Sequence, residues 1–298
     1  MGLGNFLEDF FRRSKMIKVI DTFSQISDLF EEGRFVFDKW KIYFDSIYDN
    51  ASNFIIDDMK ECLDSGNYEY EKDILPIINA VYRHPDLEVL HSSFCKVTDQ
   101  INKKVNDCFG HEVNIDIVLY VGLCNGAGWV TNINGCDVIL LGVEKILELN
   151  WIDEVSMCGL IYHELGHVYH KQYGNFNQQN DRNDQNFVWQ LFTEGIAMYF
   201  EQALVNDFTY YHQDKNGWLE WCDNHFRQIL EDFHNDLPTM TKYNQRYFGD
   251  WVSYNGRGDV GYYLGTRFVQ WLNATYDFEE LINMKIDKVH QEFISFTK

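Results

Sequence analysis

The sequence predicts an α+β fold that is mostly helical, and three observations carry this prediction. Only three of its 298 residues are proline, so long helices can run without interruption. Apolar residues recur at helical spacing over most of the chain. A shorter stretch near the middle instead alternates apolar and polar residues, as a half-buried strand does. A chain of this length can bury a core without disulfides, and a content of 16% aromatic residues argues against disorder.

The first 110 residues are predicted to form a helical region without recognisable chemistry. Apolar residues recur at helical spacing in the segments 23–30, 40–47, 74–82 and 87–105. No linker or internal repeat separates the rest of the chain into parts. We therefore predict two domains, a helical region over residues 1–110 and a second unit over residues 111–298.

The character of the sequence changes at about residue 111. Alternation over 113–121 predicts a strand, and the tight turn Asn134-Gly135 separates two further short strands, 131–133 and 138–141. Helices are expected to begin near Gly142 and at Asp153, which is a suitable N-cap. The polar segment that follows the second of these is a surface loop or a mobile lid over a site. The loop spans 174–186, and further helices are expected over about 186–205, 215–233, 260–275 and 279–296.

The net charge excludes some classes of partner. With 25 basic and 46 acidic residues the formal charge is −21, and no run of Lys or Arg is present. Nucleic-acid binders need basic residues to neutralise phosphates, and surfaces that bind anionic membranes need them as well. We expect no nucleic-acid partner, and a preference for cationic partners.

The cysteines and the N-terminus predict a cytoplasmic protein. None of the seven cysteines forms a C-x-x-C pair, so they are expected to be reduced and mostly buried as small apolar side chains. The first twenty residues contain acids and lack the apolar core of a signal peptide. The longest apolar run is too short to span a membrane.

The candidate chemistry begins with His163-Glu164-Leu165-Gly166-His167, inside a helical stretch. Residues four apart on a helix lie about 40° apart around its axis, so both imidazoles project from one face. That is the geometry of two zinc ligands. Glu164 is rotated by about 100° from the first and can reach a water held by the metal, where it would act as general base.

A catalytic zinc site needs a third protein ligand. In one zinc pattern, H-E-x-x-H-x-x-G-x-x-H, the third ligand is a His. This chain does not match that pattern, because His170 stands at its Gly position and Tyr173 at its last His position. Glu194 lies 27 residues after His167 in a very apolar helical stretch, where a carboxylate is costly unless it is paired or on a metal. Glu194 is therefore the predicted third ligand. Glu201, seven residues on, is the alternative, with a supporting or solvated position as its other interpretation.

The two helices together resemble a known family. HELGH followed by Trp189 and then Glu194-Gly195-Ile196-Ala197-Met198-Tyr199-Phe200 is similar to the zinc helices of the Glu-ligand zinc peptidases, the gluzincins. The resemblance implies a gluzincin-like catalytic unit with a small mixed sheet. It also implies one Zn²⁺ per chain, held by His163, His167 and Glu194.

A third motif extends the resemblance. Gly261-Tyr262-Tyr263-Leu264-Gly265 resembles the Tyr-x-x-Gly stretch of aminopeptidase-N-like enzymes, in which the Tyr stabilises the oxyanion. The match implies this role for Tyr262, with Tyr263 as the alternative or as a substrate contact. The combination is most similar to a bacterial family described as predicted zinc-dependent proteases of unknown function, and it covers roughly residues 111–275.

One departure affects the expected activity. The aminopeptidases carry Gly-Ala-Met-Glu-Asn before the zinc helix, and its Glu holds the amino group of the substrate. This chain instead has Asn125, Gly126, Ala127, Gly128 and Trp129, without a Glu. Gly126, Ala127 and Gly128 either pair with a peptide by strand addition or form a plain turn. The missing Glu favours an endopeptidase.

A few other polar residues are weaker candidates for the site. His170 either approaches the site or is a surface residue near a helix end. Asp250 and Asp259 are possible hydrogen-bond partners of a zinc-bound His. The remaining histidines show no ligand spacing and are expected to be ordinary, namely His84, His91, His111, His212, His225, His234 and His290.

The expected function is a zinc peptidase that cleaves peptide or protein substrates. Two alternatives share the same residues around the metal. One is a zinc-binding regulatory or interaction protein without turnover, and the other is a zinc hydrolase of a non-peptide amide or ester.

Overall fold

The computed structural model describes residues 16–64, 68–249 and 252–298. The fold is α+β and mostly helical with a small mixed sheet, as predicted. The chain divides into two compact units, one ending at Ile161 and the other beginning at Tyr162. The N-terminal residues 1–15, used above in predicting the location, and Asp250 lie outside the described residues.

The first unit contains the sheet and a set of short helices. Its strands are β1 (Ile17–Asp21), β2 (Phe30–Glu31), β3 (Arg34–Phe35), β4 (Ile115–Tyr120), β5 (Trp129–Ile133) and β6 (Cys136–Gly142). Its helices are α1 (Phe37–Ile47), α2 (Ser52–Asp64), α3 (Leu75–Ala80), α4 (Leu87–Thr98), α5 (Ile101–Phe109) and α6 (Val143–Glu148), with a 3₁₀ helix at Phe23–Leu29 and a π-helical turn at Tyr70–Ile74.

The four-stranded sheet has the order β1-β4-β6-β5. β1 and β6 run parallel to β4, and β5 runs antiparallel to β6. The central strand β4 is fully buried from Ile117 to Tyr120, which explains its nearly continuous apolar sequence. β1 lies in the stretch expected to be helical, and it pairs with β4 through contacts such as Ile17 with Ile115. This pairing joins the N-terminal segment to the sheet, so the compact unit extends past residue 110.

Local signals placed most elements correctly. The single helix expected over 279–296 is instead two helices, separated at residues 283–285, and two segments nearer the N-terminus also differ from expectation. The turn Asn134-Gly135 joins β5 to β6 with φ of 52° and 83°, as a two-residue hairpin requires. The segment 87–105 was expected to be one helical stretch but is divided into α4 and α5, because Gln100 adopts a left-handed conformation with φ of 54°. The segment 23–30 is a 3₁₀ helix followed by β2, so its spacing did not produce an α-helix.

The second unit is helical and starts within a long helix, α7 (Glu154–Tyr173). The Asp153 carboxylate accepts the backbone N–H of Ser156, as expected for an N-cap. The other helices are α8 (Asn183–Val205), α9 (Trp218–Asp236), α10 (Val260–Asn273), α11 (Phe278–Ile282) and α12 (Ile286–Phe296). None of the helices in the described part of the chain is sufficiently long and apolar to cross a membrane.

Two glycines allow the helices around the site to approach closely. A Cβ at Gly166 of α7 would lie 2.7 Å from the Cα of Ala197 in α8. A Cβ at Gly195 of α8 would lie 2.2 Å from the carbonyl oxygen of Gly265 in α10. Both separations are too short for a side chain, so these backbones pack in direct contact. The packing holds α8 between α7 and α10.

Candidate metal centre

Three potential ligands from two helices converge on one point. His163 and His167 lie four residues apart on α7, and Glu194 lies on α8. The Oε2 atom of Glu194 is 3.2 Å from Nε2 of His163 and 3.2 Å from Nε2 of His167. One ligand atom from each residue lies within 4.8 Å of the other two. The close contact of Gly166 with Ala197 sets the distance between α7 and α8 at this point, because Gly166 lies about one turn after His163 and Ala197 about one turn after Glu194.

The donor set fits a zinc ion. Imidazole nitrogen and carboxylate oxygen bind Zn²⁺ at about 2.0–2.1 Å, so two such ligands of a tetrahedral ion are about 3.3 Å apart. The separations between Glu194 and the two histidines are 3.2 Å, so little movement is needed to bind an ion. The Nδ1 atoms of both histidines are buried and have no hydrogen-bond partner among the described residues. The Nε2 atoms lie beside the Glu194 carboxylate and are the ring nitrogens that face the potential metal.

The pKa values of His167 and Glu194 are shifted in the directions expected for a close pair of opposite charges. Burial disfavours charge on His167, but Glu194 and Glu164 outweigh it and raise the pKa of His167 to about 9. Burial likewise opposes ionisation of Glu194, yet His167 and His163 hold its pKa well below the usual range. A carboxylate in this apolar helix is thus stabilised by its two partners.

The alternative third ligand, Glu201, lies on the other side of His163. Its side chain is fully buried, and its Oε2 atom is 3.9 Å from Nδ1 of His163. The same carboxylate accepts a hydrogen bond from Nδ1 of His212 at 2.9 Å. Glu201 therefore lies behind the ring of His163, where carboxylates commonly orient metal-binding histidines, whereas Glu194 faces the Nε2 atoms of both histidines.

The predicted base and oxyanion residues lie beside these ligands. Glu164 is half-buried and close enough to His167 to raise its pKa. The ring of Tyr262 meets that of His163 edge-on with centroids 5.6 Å apart. Tyr263 is fully buried, and its hydroxyl donates to Asp223 at 2.6 Å. Of the two tyrosines, Tyr262 is the one whose ring contacts a candidate ligand, His163.

Sequence reasoning missed two residues of this site. His212 was expected to be ordinary, but its ring centroid lies 5.9 Å from that of His163. Phe176 lies in the loop after α7, and its ring is 5.8 Å from His167. Trp189 donates to the carbonyl of Phe176, which fixes this part of the loop. Neither residue has a spacing signal, because both reach the site through loops.

His170 does not occupy a surface position. Its side chain is fully buried, and its Nε2 atom donates to the carbonyl of Ile282 at 3.1 Å. Burial lowers its pKa to about 3, so the ring is neutral at physiological pH. The expectation of a surface histidine near a helix end was wrong, because α11 and neighbouring aromatic rings cover this turn of α7.

The remaining candidates belong to other parts of the fold. Gly126, Ala127 and Gly128 lie in the first unit and lead into the edge strand β5. A Cβ at Gly128 would lie 3.1 Å from the side chain of Leu160, so this backbone is closely packed. Asp259 is the N-cap residue of α10, three residues before Tyr262.

The expectation of mostly buried cysteines was wrong. Cys222 is buried, whereas four cysteines are exposed and two are intermediate. The exposed ones are Cys62, Cys95, Cys108 and Cys136. Isolated cysteines in the sequence therefore did not indicate core positions.

Comparison with known proteins gives no relative for this chain. No family model matches it, and neither a curated protein nor a solved structure does so. Its function is therefore inferred from the residues of the candidate site.

Proposed function

We propose that the chain is a zinc-dependent peptidase of the gluzincin type, with one catalytic Zn²⁺ held by His163, His167 and Glu194. The observation that carries the proposal is the convergence of these three ligand atoms within 4.8 Å, with Glu164 on the same helix. A purely structural zinc site is usually closed by four protein ligands and has no need for a base. Three ligands beside a carboxylate are typical of a hydrolytic site.

The metal and the protein would divide the chemistry between them. Zn²⁺ bound here would act as a Lewis acid and lower the pKa of a water ligand toward about 7. Glu164 accepts a proton from the attacking water and transfers it to the nitrogen of the leaving amine. The water oxygen bonds to the carbonyl carbon of the peptide, after which the C–N bond breaks and the new carboxylate and the amine are released. Glu164 thus carries both proton transfers, and no covalent intermediate forms on the protein.

Tyr262 is proposed to stabilise the oxyanion. Its ring packs edge-on against that of His163, with centroids 5.6 Å apart, so the side chain lies beside the proposed metal. Hydrogen-bond donors aimed at developing charge commonly contribute about 3 kcal/mol to the barrier. Tyr263 is not assigned this role, because its hydroxyl is held by Asp223.

The substrate is proposed to be a peptide or protein, cleaved internally. The missing aminopeptidase Glu supports an endopeptidase, because the chain lacks the residue of that motif that would hold the amino group of a substrate. Pairing by Gly126, Ala127 and Gly128 remains a prediction, as do a cytoplasmic location and the absence of a nucleic-acid partner.

The decisive experiment is the Glu164→Gln variant of the full chain. We expect it to keep one bound zinc at the site and to lose peptide cleavage by at least about 100-fold, because general base catalysis contributes 10²–10⁴. Metal content and cleavage of a peptide library are the measurements. Glu154→Gln is the matched control, since Glu154 is an exposed residue on the same helix.

The outcomes separate the proposed activity from its alternatives. Cleavage by wild type that survives in Glu164→Gln would contradict the mechanism. Zinc binding without cleavage of any peptide would favour a regulatory or interaction protein. Hydrolysis of a small amide or ester without peptide cleavage would instead indicate a non-peptide hydrolase.

A further inference from the structure

We propose that Asp21, His91 and Cys95 form a second metal site, specific for a borderline divalent ion such as Zn²⁺ or Co²⁺. The three residues lie in the first unit, with Asp21 at the end of β1 and the other two on α4. One ligand atom from each lies within 4.8 Å of the other two. None of these residues takes part in the proposed peptidase chemistry.

The arrangement of the donors is close to that around a tetrahedral ion. Nε2 of His91 is 3.4 Å from Sγ of Cys95 and 2.7 Å from Oδ2 of Asp21. Bonds of about 2.05 Å to nitrogen and 2.3 Å to sulfur place those two ligands about 3.6 Å apart. The nitrogen and sulfur are therefore already near their places. The carboxylate would move outward by about half an ångström when an ion replaces its hydrogen bond.

Both neighbours approach the same ring nitrogen, and this distinguishes the cluster from two simpler arrangements. In a Cys-His-Asp catalytic relay, the acid and the thiol occupy opposite nitrogens of the imidazole. In a surface ion pair, the single hydrogen on Nε2 can point well to only one of the two partners. A cation at the centre accepts lone pairs from all three atoms, so it satisfies them together.

The cluster is held in place before any ion binds. Asp21 accepts the backbone N–H of Phe23 through Oδ1 at 2.9 Å, which leaves Oδ2 directed at His91. The ring of Phe23 stacks on the imidazole with centroids 3.8 Å apart and planes 5° apart. His91 and Cys95 are four residues apart on α4 and so share one face of the helix. Two of the three side chains are thus fixed by contacts other than with each other.

The chemistry of the donors selects the ion. Thiolate and imidazole suit Zn²⁺ and Co²⁺, whereas Mg²⁺ and Ca²⁺ prefer oxygen ligands alone. Asp21 and Cys95 are exposed, so a water molecule can complete a fourth position. The candidate catalytic centre has no sulfur ligand, which makes a thiolate signal specific for the second site.

The test is Co²⁺ binding to the metal-free full chain, followed by absorption spectroscopy. We expect a thiolate-to-cobalt charge-transfer band in wild type, with its complete loss in Cys95→Ser and in His91→Ala. The matched control is Cys136→Ser, which removes another exposed cysteine and should keep the band. The double variant His163→Ala, His167→Ala should also keep the band. This test can therefore succeed even if the proposed peptidase site binds no metal.

A second measurement protects the result against misfolding of a variant. Wild-type Cys95 should react with iodoacetamide at least ten times more slowly when Zn²⁺ is bound, and the rate for Cys136 should not change. The proposal is overturned if wild type gives no band, if the band survives in Cys95→Ser, or if Zn²⁺ leaves the alkylation rate of Cys95 unchanged.

Discussion

Three carboxylates that are buried or half-buried take different roles because they meet different partners. Glu194 faces the Nε2 atoms of two histidines, while Glu201 faces the Nδ1 atoms of His163 and His212. Glu144 accepts backbone N–H groups from the loop that follows β4. A buried carboxylate is costly without such partners, so each contact indicates what its residue does.

Metal binding should distinguish Glu194 from Glu201. We expect Glu194→Ala to abolish high-affinity zinc binding, because it removes one of the three proposed protein ligands. Glu201→Ala should weaken affinity by about 10- to 100-fold, as is usual for a carboxylate behind a ligand histidine. Competition with a chelating dye measures both, and Glu201→Gln, which can still accept from His212, should lose less. If Glu201→Ala lost zinc and Glu194→Ala kept it, Glu201 would be the third ligand and Glu194 the supporting carboxylate.

Glu144 should make the stability of the chain depend on pH. Burial raises the pKa of Glu144 from 4.5 to about 7, against the opposing effect of N–H groups from Gly122 and Cys124. Between these two values the folded chain keeps a proton that the unfolded chain releases. The free energy of unfolding therefore falls as the pH rises from about 4.5 to 7, by up to about 3 kcal/mol from this group.

The difference between wild type and Glu144→Gln isolates this contribution. Urea unfolding at a series of pH values should give a wild-type stability, relative to the variant, that is higher at pH 5 than at pH 8. Glu61→Gln, a change at an exposed position, should show no such trend. An equal difference at both pH values would mean that Glu144 is ionised throughout.

At the scale of elements, the site depends on how closely three helices pack. α8 carries Glu194 and lies against α7 and α10, with the backbones in contact at Gly166 and Gly195. Neither glycine is needed for its own conformation, since each lies inside a helix. They are needed because no side chain fits between the backbones.

Gly195→Ala tests this packing. Alanine in a helix interior gains about 1 kcal/mol over glycine in helix propensity. Its Cβ, however, would lie 2.2 Å from the carbonyl oxygen of Gly265, an overlap that no side-chain rotation relieves. We expect a net loss of about 2 kcal/mol in the free energy of unfolding, with weaker zinc binding because Glu194 is adjacent.

The matched control is Gly258→Ala, where no described atom lies within 4 Å of an added Cβ. That variant should change the free energy of unfolding by less than about 0.5 kcal/mol. Denaturant unfolding and zinc titration measure both variants. A stable Gly195→Ala protein with full zinc affinity would show that the helices can separate at no cost to the site.

At the scale of the whole molecule, the dominant property is the net charge of −21. Glu164 and Glu194 have proposed chemical roles, whereas most other acids have no such assignment. A field of this sign raises the local concentration of cationic ligands and repels anionic ones. Solvent ions weaken it, since the screening length falls from about 10 Å at 0.1 M salt to about 3 Å at 1 M.

The charge predicts how a peptidase activity responds to salt. At low ionic strength, peptides rich in Lys and Arg should be cleaved with a higher kcat/KM than acidic peptides of matched length. The ratio should approach one as salt is raised. Steady-state kinetics on a charge-matched peptide series are the measurement. A preference for acidic peptides would contradict this prediction and would mean that basic residues near the site, rather than the net charge, determine substrate binding.

The sequence by itself determined the features that follow from local periodicity and turn chemistry. It predicted the β5–β6 hairpin from Asn134-Gly135, and the helix that places His163 and His167 on one face. These features depend on residues within a few positions of each other. The chain therefore carries their signal whatever the rest of the fold does.

The tertiary structure decided what depends on packing between distant segments. It selected Glu194 over Glu201 for the position facing both histidines, buried His170 under α11, and paired β1 with β4. It also brought Asp21 to His91 and Cys95, although 70 residues separate the first two. Such contacts depend on the rotation and spacing of whole elements, which are set by close packing at positions such as Gly166 and which no local spacing in the sequence encodes.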